Sequence, residues 1–99
     1  MPSSYLNQTQ FIQFGAAGTQ NIVPTVGYSI LVRFVDLFAN GVTVTITIGT
    51  ETILSGVVNI APAQMNFGSG RGSGVINDPI IVTVTGACTV LIGYTEIQP

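Results

Sequence analysis

The stretch Val42-Thr43-Val44-Thr45-Ile46-Thr47-Ile48 alternates without a break, aliphatic at every even position and threonine at every odd one. Successive side chains of a strand point to opposite faces, so this repeat of two puts all four aliphatics on one side. A helix of 3.6 residues per turn would scatter them around its axis. The segment is a half-buried strand, aliphatics inward and threonines outward. Upstream, Tyr28–Leu37 sets Ile30, Val32 and Phe34 on one face against Leu31, Arg33, Val35 and Leu37 on the other. Apolar side chains on both faces suit a central strand or one buried at a subunit contact.

Turn residues punctuate the rest. Asn40-Gly41 predicts a tight hairpin between those two strands, because both residues tolerate positive φ. Gly49-Thr50 predicts a second turn into a strand over 51–60, with Gly56 as a kink or bulge. Ala61-Pro62-Ala63 breaks pairing, 64–67 is a short strand, and the run Gly68–Gly74 is a flexible loop. Asn77-Asp78-Pro79 is a turn, after which Ile80–Thr85 and Cys88–Ile97 form a terminal hairpin across Gly86-Ala87. No capped stretch of helical period interrupts this series. The fold expected is all-β, an antiparallel β-sandwich of jelly-roll type with an extended N-terminal arm; a small barrel is the alternative.

The arm comprises residues 1–26, where Ser, Asn, Gln and Thr crowd positions 3–10 and Phe11-Ile12-Gln13-Phe14 offers one short strand. Residues 27–99 are the sandwich domain, and 99 residues leave room for one core only.

Charge is scarce. Arg33, Arg71, Asp36, Glu51, Asp78 and Glu96 make 6% of the chain, with no lysine and no histidine. An ordinary globular domain carries about 25%. Twelve Thr and six each of Ser, Asn and Gln supply neutral polarity instead. A surface so poor in charge is expected to pack against copies of itself or a larger assembly, since charge normally keeps monomers dispersed. Two arginines and a net charge of −2 argue against a nucleic-acid phosphate site. The apolar runs are too short for a membrane helix, and Met1-Pro2-Ser3-Ser4 lacks the basic start and apolar stretch of a secretory signal. Neither a membrane nor a nucleic-acid partner is expected. Cys88, the single cysteine, reads as a small buried residue.

Catalytic chemistry finds little to work with. No histidine exists to serve a nucleophile triad or a histidine-containing zinc site, and one cysteine cannot build a thiolate site. The four carboxylates are scattered along the chain and show no pairing of acid and base. Asn77 and Asp78 could hold calcium with backbone carbonyls, but the acidic repeat of an EF-hand is missing. The row Thr43-Thr45-Thr47 resembles those of ice-binding proteins without their stacked repeats, and strand propensity accounts for it. Gly70-Arg71-Gly72 is a possible ligand loop, though no lysine and no following helix complete a phosphate-binding motif. No enzyme activity and no cofactor is expected.

From Thr43 to Ile97 the chain resembles the small all-β structural proteins of tailed bacteriophages. The resemblance rests on the TVTIT strand, the ETILSGVVNIAP segment, MNFGSG, the PIIVTVTGA strand and the closing VLIGYTEI strand. It implies a jelly roll similar to the tumour-necrosis-factor type and a capsid decoration or cement protein. By the same resemblance the protein is a homotrimer bound to the major capsid protein on the virion head, made in the host cytoplasm. Leu31, Arg33, Val35 and Leu37, with Phe11 and Phe14 of the arm, are the interface residues expected. The alternative is a carbohydrate- or receptor-binding module of a fibre or tail tip, using the loop around Arg71.

Overall fold

A computed structural model describes residues 4–39, 41–58 and 63–98. The expectations for Asn40, for the strand end and break over 59–62 and for residues 1–3 lie outside them. Eight strands run β1 (Ser4–Phe14), β2 (Gly18–Ile22), β3 (Ser29–Phe38), β4 (Val42–Ile48), β5 (Glu51–Val58), β6 (Ala63–Arg71), β7 (Ile80–Val84) and β8 (Cys88–Gln98). They form two four-stranded antiparallel sheets, ordered β1-β8-β3-β6 and β2-β7-β4-β5. The all-β expectation holds.

The pairing is nested. β4 meets β5, β3 meets β6, β2 meets β7 and β1 meets β8, as if one long hairpin folded at Gly49-Thr50 had been laid down and then wrapped. Two further ladders, β3 with β8 and β4 with β7, close each sheet from within.

This topology corrects two expected hairpins. β3 and β4 lie in different sheets, and so do β7 and β8, so the links over 39–41 and 85–87 carry the chain from one sheet to the other. Turn residues fix a reversal of direction; they do not fix that the flanking strands pair. Among the described strands, only β4 and β5, joined by Gly49-Thr50, are neighbours both in sequence and in a sheet.

The arm is corrected as well. Residues 4–22 hold two strands, not one, and each is paired into a sheet along its whole length. Gln8 and Gln10 share a face with Ile12 and Phe14, and these polar residues hide the period of two. Gln8 is kept there by partners: its amide donates to the Glu96 carboxylate and its carbonyl accepts from the Tyr94 hydroxyl at 3.2 Å.

Inward side chains from both sheets make one cluster. Ile30, Val32, Val35, Leu37, Val90 and Ile92 meet Val44, Ile46, Ile48, Ile80 and Val82, all 2% exposed or less. The alternation read over 42–48 is reproduced, each aliphatic buried and each threonine half-buried. Cys88 is buried beside this core, and burial pushes its thiol up from the usual range.

Glu96 is the exception inside, a carboxylate 3% exposed. It accepts the Thr25 backbone N–H and the Gln8 amide, so its desolvation is compensated. Tyr94 next to it has its phenol pushed up, first by burial and then by the Glu96 charge.

Candidate functional site

The two outer faces differ in kind. On the β2-β7-β4-β5 sheet, Thr19, Thr83, Thr45 and Ser55 fall in one row across the strands, with Thr43 and Thr47 beside them. The Thr19 and Thr83 hydroxyls lie 3.2 Å apart and hydrogen-bond. Hydroxyls dominate that face, with the exposed Val57 opposite Thr43 and the half-buried Ile81 opposite Thr47.

The β1-β8-β3-β6 sheet presents something else. Its registers place Phe11, Leu91, Asp36 and Gln64 in one row, Thr9, Gly93, Phe34 and Asn66 in the next, and Gln13, Thr89 and Phe38 in part of a third. Phe11 is 61% exposed and Phe38 46%. Among the described residues three aromatic rings and Leu91 stand here among the neutral polar side chains of Thr9, Gln13, Gln64, Asn66 and Thr89, with two charges beside them.

A bulge creates it. Val32 faces Tyr94 and Phe34 faces Gly93, so Arg33 is an extra residue with no opposite number on β8. One inserted residue shifts the phase of everything after it. Before the bulge Ile30 and Val32 point inward; after it Val35 and Leu37 do, and Phe34 joins Arg33 on the outside. The expected faces of this strand are therefore corrected beyond Arg33. Val35 and Leu37 are 0% exposed in the core and cannot make an intersubunit contact with Leu31, which is half-buried on the outer side.

Phe34 is set by what lies under it. Its ring rests on Gly93, where a Cβ would run into the ring atoms. Gly93→Ala is expected to cost about 1–3 kcal/mol, the usual price of overpacking. Adding Phe34→Ala should recover most of that loss in urea unfolding, because the two residues share one space. Additive losses in the double variant would show that Phe34 does not press on Gly93.

Arg33 and Asp36 sit together on this face and do not pair. Arg33 Nε and Asp36 Oδ1 are both buried atoms without a hydrogen-bond partner. The Arg33 guanidinium carbon lies 5.8 Å from the Phe34 ring centroid, a cation–π distance. The one ion pair among the described residues is elsewhere, between Arg71 and Glu51.

The remaining expected residues fall in three places. Phe11 is on the outer face just described, while Phe14 is in the core at 7% exposure. Gly70 and Arg71 are not in a flexible loop, because β6 continues to Arg71. Gly72 follows directly, packed so closely on β3 that a Cβ would meet the Ile30 carbonyl oxygen. Arg71 donates to Glu51 and to the Thr52 carbonyl (3.2 Å) and lies 5.8 Å from the Phe67 centroid. It ties the β6 edge of one sheet to the β5 edge of the other.

Each remaining carboxylate has its own engagement: Asp78 accepts from Ser73 Oγ at 2.8 Å, and Glu96 holds Thr25 and Gln8. Asn77, at φ 69°, accepts from Gly27 N–H and donates its own N–H to the Tyr28 carbonyl, both at 2.8 Å. Those bonds clasp the β2–β3 and β6–β7 loops. No group of three or more metal-ligating side chains occurs among the described residues.

Comparison with protein-family models, with curated proteins and with solved structures found no match. Function is therefore read from the surface itself. Sequence reasoning found Arg33 and Phe11 but missed Phe34, Phe38, Leu91 and the buried Glu96. Glu96 was within reach, since Val90, Ile92, Tyr94 and Glu96 continue one inward period of two.

Proposed function

We propose that this chain is a virion structural protein, a decoration or cement protein of a bacteriophage head. It acts by contact: with copies of itself, as a homotrimer, and with the major capsid protein. The observation that carries this reading is the outer face of the β1-β8-β3-β6 sheet, where Phe11, Phe34, Phe38 and Leu91 surround two charges that form no ion pair among the described residues. Exposed aromatic rings gathered on one face suit a protein that spends its working life attached. The nested pairing of eight strands in two sheets also fits a jelly-roll sandwich, an architecture common in viral capsid proteins.

Attachment is tested by mixing the purified protein with empty heads assembled from the major capsid protein of the same virus. Co-sedimentation at a fixed ratio of copies per head, with a higher temperature of head disruption, is expected. Heads that pellet without the protein would defeat the capsid reading.

A further inference from the structure

Resting on that reading of an assembling protein, the structure assigns the outer face of the β1-β8-β3-β6 sheet to a second copy of this chain, packed face to face about a two-fold axis. Charge complementarity favours this partner. Two identical faces that meet must be self-complementary, residue i on residue j and j on i. This face carries one cation and one anion, Arg33 and Asp36, three residues apart on the same strand. With the axis passing between them, Arg33 of each copy meets Asp36 of the partner subunit. One contact thus gives each of these two charges, neither of them in an ion pair among the described residues, an opposite charge to meet. A hydroxyl-covered or hydrated partner would leave the surrounding Phe11, Phe34, Leu91 and Phe38 without apolar cover.

The size suffices. Four strands about 4.8 Å apart and some ten residues long at about 3.3 Å each give roughly 600 Å² per copy. Twice that, about 1,200 Å², reaches the range of specific interfaces. The pairing β3 on β3 also keeps clear of the open edges at β2 and β5, which stay free for other contacts.

A two-fold contact doubles whatever it joins: single chains into dimers, trimers into hexamers. The test is native mass spectrometry of the full chain and of the variants Arg33→Asp and Asp36→Arg. Each single change sets like charges against each other twice across the axis, so each variant should show half the wild-type mass. Mixed in equal amounts, the two variants should regain the full mass as mixed particles, because one carries two anions and the other two cations. The double variant R33D/D36R should regain it alone. Circular dichroism of each variant checks that the fold is kept.

Folded single variants that hold the full wild-type mass, or that fail to recombine, would overturn the two-fold face while leaving assembly through another surface intact. A wild type that stays a single chain at micromolar concentration would overturn this face and the self-assembling part of the proposed function together.

Discussion

Removing residues 1–20 is expected to unfold the protein, where an appended arm could be lost without harm. The deletion strips β1 from β8 along an eleven-residue ladder and leaves only Asn21 and Ile22 of β2. It also takes Ile12 and Phe14 out of the core. Burying side chains of that size stabilises by about 1.5–3 kcal/mol each. Together with the lost ladder, the damage approaches the whole stability of a small domain, about 5–15 kcal/mol. The Gln8 partnership of Glu96 disappears too, leaving a buried carboxylate with less to hold it. Circular dichroism and urea titration of residues 21–99 are the check. A cooperative transition near the wild-type midpoint would mean that β1 is an ornament.

The second large effect contrasts two leucines six residues apart on β3. Leu37→Ala should cost about 2–5 kcal/mol, the range for emptying a packed core position. Leu31→Ala should cost on the order of 1 kcal/mol, since that side chain is half-buried on the outer face and loses less area. A strand without the bulge would put both leucines on one side, with similar losses. Equal shifts of the urea midpoint at one protein concentration would therefore refute the phase change at Arg33.

That contrast marks how far the sequence can be read. β4 was legible because its threonines and aliphatics never break step, and one buried face leaves a single register. The first half of β3 kept its period of two, but apolar side chains on both faces left open which side turned inward. Beyond Arg33 the reading fails, because a bulge is a property of two strands: its partner signal, Gly93, stands 60 positions away and means nothing until Phe34 is laid over it. β1 was obscured by glutamines whose partners, Tyr94 and Glu96, are likewise remote. The supposed hairpins failed for a simpler reason. Neighbours in sequence are usually neighbours in a sheet, and this chain departs from that rule at the 39–41 and 85–87 links. Of the candidate surface, the scarcity of charge and the places of Arg33 and Phe11 in it were visible, whereas the aromatic setting around Arg33 needed the registers.

The place of β8 has a consequence for how the molecule comes into being. The last strand to be synthesised of the eight stands between β1 and β3. Until it arrives, the first strand has no neighbour to bond with, and its sheet has a gap at the centre. The β4–β5 hairpin can form early, but the ladder that joins Phe14 to Cys88 must close a loop of some seventy residues. Such distant pairing is slow, on the order of milliseconds to seconds. While β8 is still missing, Ile12 and Phe14 lie on an unpaired strand, and an equally unfinished neighbour could supply the missing one. Crowded synthesis thus favours exchange of strands between chains, and a slow supply of chains favours the closed, self-paired form.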